Sequence, residues 1–176
     1  YLISNGDYRD SAGVVCWPKQ EETLKGVKAA FAKLGVAAEV MNKYDPKRMH
    51  GFVTKQCEGA ALLAKIDPKA AVVVVMSCWA YAHNVCGPLQ THKGPILIIA
   101  NFDGTRPGLV ALLNHSGTLE RLNVKHSRLW SESFAKDDGF MKKLAQWCKT
   151  GTVTHDTSHV VDAARLKLAP AAVKFG

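Results

Sequence analysis

The chain has 176 residues, 47% of them hydrophobic and 22% charged, with a formal net charge of +8. That is enough for one ordinary domain with a real core, and the longest apolar run, Ala70 to Met76, is far too short to span a bilayer. The basic residues are scattered one or two at a time, without a basic run, Cys/His finger spacing or basic–aromatic interleaving, so the charge reads as a solvated surface rather than a nucleic-acid face.

In chain order, Tyr1 to Ser4 reads as a short strand, entered as though the numbering begins inside a longer protein. The polar turn Asn5 to Asp10 follows and places Asp7 and Arg9 at a strand's carboxyl edge. Ser11 to Trp17 opens a helix that Pro18 interrupts or restarts. From Glu21 the helical period is clear, with Leu24, Val27, Phe31 and Leu34 on one face and Gly35 as the stop. Val36 to Met41 reads as the next strand. Residues 47–65 read as a helix with Met49, Phe52, Val53, Cys57, Ala60, Leu63 and Ala64 as its apolar stripe, ended by Asp67-Pro68.

Four consecutive valines within Ala70 to Met76 predict a strand covered on both faces. It runs into Ser77, Cys78, Trp79 and Tyr81, where an open α/β sheet would carry its ligand; the competing reading is that the two aromatics cap the core. Pro95 to Ala100 is a second continuous apolar strand. The loop Asn101 to Gly108 leads into a helix with Pro107 at its first position and Thr105 or Asp103 as cap. Asn123 to Ser133 is ambiguous between a short strand and irregular packing. A helix after Gly139 carries Phe140, Leu144 and Trp147. Gly151 to Ser158 is a polar joint, and Val160 to Leu168 reads as a terminal helix.

Alternating strands and helices predict an α/β fold, a three-layer sandwich with a mainly parallel sheet, flavodoxin-like or Rossmann-like. Residues 1–150 form this domain, and 151–176 are a linker or the start of the next one. Five cysteines without CxxC spacing predict a reducing, cytoplasmic setting without disulfides or a zinc ribbon. Tyr1 to Gly13 shows no secretory signal pattern.

The two loops at 77–86 and 101–108 leave successive strands, so they should share one rim. That rim would gather Trp79, Tyr81, Asp103, Arg106 and Arg9, two aromatic faces and fixed charges suited to a sugar. The 101–108 loop could also hold an anion, although it is neither a GxGxxG fingerprint nor a P-loop. His155 and His159 are four apart without HExxH, and read as a solvated pair. Cys78 with His83 could form a Cys–His arrangement, against the commoner reading of Cys78 as packing. No complete catalytic set is present.

The words Cys78-Trp79-x-Tyr81 and Phe102-Asp103-Gly104-Thr105-Arg106-Pro107-Gly108, with the early Gly6-Asp7-x-Arg9, resemble the amino-terminal domain of the L-fucose isomerase group. L-arabinose isomerases share the layout rather than the words. In the group the glycine-rich loop has one residue more between Thr and Arg-Pro-Gly, and two arginines often follow the early Gly. The resemblance runs loosely over residues 1 to about 150. It implies an amino-terminal fragment of a cytoplasmic Mn2+-dependent aldose–ketose isomerase. The metal and its carboxylate and His ligands would lie in later domains, so this chain would bind no metal and turn over no aldose by itself. It further implies a homo-oligomer, a hexamer in the group, in which this domain lends Arg9, Trp79 and Asp103 to a neighbouring subunit's sugar pocket. The alternatives are a non-catalytic sugar-binding or regulatory α/β domain, and a nucleotide- or flavin-binding one.

Overall fold

The structure, a computed structural model, describes residues 1–161. Four strands form a single sheet in the order β1 (Leu2–Ser4), β2 (Val72–Met76), β3 (Ile96–Asn101), β4 (Ser127–Ser131), and every pair is parallel. Helices α1 (Asp10–Lys33) and α5 (Asp138–Thr150) cover one face; α2 (Gln56–Leu63), α3 (Cys86–Leu89) and α4 (Gly108–Arg121) cover the other. The alternating side chains of each buried strand feed the two cores: Val72, Val74 and Met76 point to the α2–α4 side, Val73 and Val75 to the α1–α5 side. Each of these residues is buried, and burying a valine contributes roughly 1.5–3 kcal/mol, so the four-valine run anchors both layers at once. The expected α/β three-layer fold with a parallel sheet is therefore present.

Several expected elements differ in extent. Pro18 does not break α1, which runs unbroken through it. Pro18 is exposed, while Trp17 before it and Gln20 and Leu24 after it are buried. The packed face thus holds the helix together across the missing backbone bond. Gly35 follows the helix end with φ 71°, the left-handed turn for which glycine is suited.

Val36–Met41 forms one rung of sheet rather than a strand. Leu2 N–H donates to Glu39 O at 2.7 Å and Met41 N–H to Leu2 O at 2.9 Å. The next rung is made by a side chain. Asn42 Oδ1 accepts from Ser4 N–H at 2.9 Å, and Asn42 Nδ2 donates to Ser4 O at 2.8 Å. The edge then passes to Val53, whose N–H donates to Ser4 O at 2.9 Å and whose carbonyl accepts from Gly6 at 3.1 Å. Residues 47–55 are not helical: His50 pairs with Asp45 and Val53 with the edge of β1, and only Gln56–Leu63 is α-helix. Phe52 and Val53 are buried as expected, but Met49, Cys57 and Ala60 are exposed. Counting the Val40 rung as a rudimentary second strand gives the order 2-1-3-4-5, that of flavodoxin-like sheets, with the reversal of strand order lying between β1 and β2.

The ambiguous segment 123–133 contains the edge strand β4, and Pro107 stands at the N-cap of α4 rather than inside it. Asp103 and Thr105 bond to each other and cap nothing. Residues 151–161 have no regular element, and the rest of the expected helix 160–168 lies outside the described residues. Helix α5 is capped by Asp137, which accepts from Phe140 N–H at 2.9 Å and from Ser131 Oγ at 2.7 Å. Replacing Asp137 by Ala should cost about 1 kcal/mol in chemical denaturation, and Asp137→Asn should recover most of it.

Candidate functional site

Ligands bind such sheets in the crevice outside the carboxyl ends of the strands that flank the reversal. Here those strands are β1 and β2, and their loops carry Asn5–Arg9 and Ser77–His83. The turn after β1 is drawn tightly under its neighbour. A Cβ on Gly6 would lie 2.6 Å from the Phe52 ring, so only glycine fits. Gly6 O accepts from Tyr81 N–H at 3.2 Å and from Asn84 Nδ2 at 3.1 Å, which ties the two loops together.

Asp7 and Arg9 form a closed ion pair on this turn. Asp7 Oδ1 accepts from Arg9 N–H at 2.9 Å and Nε at 3.0 Å, and Oδ2 accepts from Nη2 at 2.6 Å. The bonds from Arg9 outweigh burial and hold the Asp7 carboxyl below its usual range. The Asp7 side chain is 7% exposed and that of Arg9 58%. A buried carboxylate thus fixes the orientation of a solvent-facing guanidinium, in the two-bond geometry that suits arginine. Arg9 lies 5.7 Å from the Tyr8 ring centroid. Tyr8 is 5.2 Å from Tyr81, and Tyr81 is 5.7 Å from Trp79 at 86° and 5.6 Å from His83. The result is a continuous aromatic shelf, Trp79–Tyr81–Tyr8, with Arg9 at its end.

Of the five expected site residues, the structure joins Arg9, Trp79 and Tyr81. Asp103 is drawn the other way. Its carboxylate accepts from Asn101 Nδ2 at 2.8 Å and from Thr105 N–H and Oγ1 at 3.0 and 2.7 Å, and it forms an ion pair with Lys19 of α1. Burial would raise its pKa, but these donors together hold the carboxyl far below its ordinary range. Asp103 therefore braces its own loop. Arg106 is exposed on the same loop, and its charge favours the Cys78 thiolate slightly.

Cys78 itself is buried against Cys16, Trp17 and Phe52, and burial, then the Cys16 thiol, push its own thiol strongly up. A thiol held protonated is a poor nucleophile. His83 packs tilted against Tyr81, at 52°, instead of bonding to Cys78, so a Cys–His pair is not assembled. His155 lies elsewhere, stacked 5.6 Å from Trp130 at 6°. Among the described residues no three His, Cys, Asp or Glu side chains are grouped to hold a metal ion. The Mn2+ that the resemblance implies would be held by other domains, and no chemistry below passes through a metal on the described residues. Among the described residues no helix is long and apolar enough to cross a membrane.

Residues that pattern alone did not flag organise the site. Tyr8 lies between the two charged turn residues already singled out, and its ring is the link between Arg9 and Tyr81. Beneath the shelf runs a buried polar net: Asn84 Nδ2 donates to Asn5 Oδ1 at 3.1 Å, and Asn5 Nδ2 contacts Tyr81 O at 2.9 Å and His115 Nε2 at 2.6 Å. Asn5 lies 76–110 positions from its partners in this net, so no local spacing announces it. Comparison with protein-family models, curated proteins and solved structures finds no match.

Proposed function

We propose that this chain is the amino-terminal α/β domain of a cytoplasmic aldose–ketose isomerase of the L-fucose isomerase type, whose shelf contacts the sugar while a neighbouring subunit of a homo-oligomer completes the pocket. The observation that carries the reading is the convergence of Arg9, Tyr8, Tyr81 and Trp79 on the carboxyl ends of β1 and β2. Aromatic rings take the C–H faces of a pyranose or an open-chain sugar, and a pre-oriented guanidinium donates to its hydroxyls. Asp7 engages Nε and Nη2 of Arg9, which leaves Nη1 to donate to substrate. Major clefts of the molecule lie away from the shelf, along β4 and beside α1, as suits a surface that needs a partner to become a pocket. The Mn2+ and the groups that move the proton between C1 and C2 belong, in this reading, to other domains.

The test is kinetic, on the protein expressed in its full natural reading frame with Mn2+ and a panel of aldoses that includes L-fucose and L-arabinose. Trp79→Ala should raise KM roughly tenfold, the equivalent of about 1.4 kcal/mol of lost stacking, and leave Mn2+ affinity unchanged. An unaltered KM would remove Trp79 from the site. A second reading is a non-catalytic sugar-binding or regulatory domain that uses the same aromatic shelf. Calorimetric binding of an aldose without turnover by that full-length protein would select it.

A further inference from the structure

We infer that the groove between α1 and residues 40–44 is a binding site for a small amphipathic anion, an apolar body that carries one carboxylate or sulfonate. The site is independent of the sugar shelf and of the function proposed for it. One wall is a stripe of α1 made by Trp17, Glu21, Leu24, Lys25 and Lys28, which recur at helical spacing. The other wall is Val40 to Tyr44, the segment that closes the edge of β1. The groove is an open trough of about 450 Å³, a volume within the range of small-molecule sites.

Its floor is apolar. Trp17 and Leu24 are 5% and 7% exposed, and Tyr44, 47% exposed, leans over Trp17 with ring centroids 6.0 Å apart at 41°. Trp17 is held from behind by Phe52, 5.1 Å away at 90°, so the floor is rigid. Its Nε1–H is buried and has no acceptor among the described residues. Asn42, which also lines the groove, spends its amide on Ser4 and Gly51 and is not free to recognise a ligand.

The rim gives the groove its sign. Lys25, Lys28 and Lys43 line it and are exposed, and only Glu21 opposes them. None of the three lysines is within ion-pair distance of a carboxylate among the described residues, whereas Lys19, Arg9, Arg48 and Arg128 are all paired. Unpaired cations around an apolar trough attract an anion and leave its hydrocarbon part to displace water from Trp17, Leu24, Val40 and Tyr44. A neutral apolar ligand would gain only the second effect, and a fully polar anion only the first.

The probes are decanoate, which carries both features, and decanol, which carries only one. Amide chemical-shift mapping of the protein should show decanoate perturbing residues 40–44 and the 17–28 stretch of α1, with the Gly6–Arg9 turn and Trp79 unmoved. Lys25→Gln/Lys28→Gln/Lys43→Gln should weaken decanoate roughly tenfold, the scale of solvent-screened attraction from a few charges, and should leave decanol unchanged. Added salt should weaken decanoate binding in the wild type. Three outcomes overturn the assignment: no saturable binding of decanoate, shifts that map to another surface, or equal affinity for decanoate and decanol. A decanoate-independent dimer in sedimentation that buries Tyr44 would also overturn it, because the groove would then belong to a second copy of the chain. The triple variant changes exposed side chains only, and its folding is checked by its unaltered spectrum outside the groove.

Discussion

Lowering the pH from 6.5 to 4 should remove as much as about 3 kcal/mol from the stability of the fold, through one imidazole, His115. His115 is fully buried on α4. Burial first, opposed by its bond to Ala111 and aided by His83, lowers its pKa to about 4. Its partners define the neutral tautomer. Nδ1–H donates to Ala111 O at 2.7 Å, and Nε2 accepts from Asn5 Nδ2 at 2.6 Å. A proton on Nε2 would face the Asn5 amide hydrogens with no acceptor. The sign follows from the unfolded chain, where the imidazole takes up its proton near 6.5. Above that pH both states are neutral and the group contributes nothing to the slope. Between 6.5 and 4 only the unfolded state is protonated, so stability falls as the pH falls. The carboxylates with depressed values, Asp7, Asp10, Asp103, Asp137 and Asp156, lose their contribution only as the pH falls below about 5, so the stretch between 6.5 and about 5 isolates His115. Urea denaturation at half-unit steps of pH should therefore show a slope that His115→Gln largely removes. The same slope in the variant would assign the acid sensitivity to other groups. Because Asn5 also holds Tyr81 O at 2.9 Å, the same protonation should loosen the shelf, visible as faster amide exchange at Tyr81 before global unfolding.

What the chain states locally, it states clearly. Val72 to Met76 and Ile96 to Ala100 are unbroken apolar runs, and both are central parallel strands. Their loops were expected on one rim, and β2 and β3 are indeed neighbours. What the chain could not state is pairing between distant segments. Residues 47–55 carry a helical pattern, yet Val53, 49 positions after Ser4, completes the edge of β1 with its backbone. The pattern counts burial, and Phe52 and Val53 are buried, but it does not show where their amides go. Asp103 illustrates the same limit at the site. A carboxylate in a glycine-rich loop reads as a ligand group, but Lys19, far away in sequence on α1, claims it. Arg9, Trp79 and Tyr81 were legible because strand ends announce themselves; their supports Asn5, Asn84 and His115 were not, because polar residues in a core look like any other polar residues until their partners are known.

Replacing Gln20 by Leu should cost about 2–4 kcal/mol, although the two side chains are close in size and the position is fully buried. Gln20 sits on α1 beneath the reversal point of the sheet. Its Nε2 donates to Ser4 Oγ at 3.0 Å and to Val75 O at 2.9 Å, and its Oε1 accepts from Ser77 N–H at 3.0 Å. One amide thus closes the ends of β1 and β2 and holds the first residue of the loop that carries Trp79. Leucine preserves the apolar volume, so no cavity term enters; the cost is that of buried groups without partners. Ser77 would be left with neither an acceptor for its N–H nor, as already in the native chain, a partner for its Oγ among the described residues. Gln20→Glu separates this effect from packing. A carboxylate can still accept from Ser77 N–H, but it offers no hydrogen to Ser4 Oγ and sets a charge against the Val75 carbonyl, so it should cost more than leucine. In both variants amide exchange should accelerate first over 77–81 and later at the α1–α5 core, because the lost bonds hold the loop more directly than the sheet. A Gln20→Leu protein within about 0.5 kcal/mol of the parent in urea denaturation, the usual range for a substitution that touches nothing, would show that the strand ends are held by the β1–β2 pairing alone.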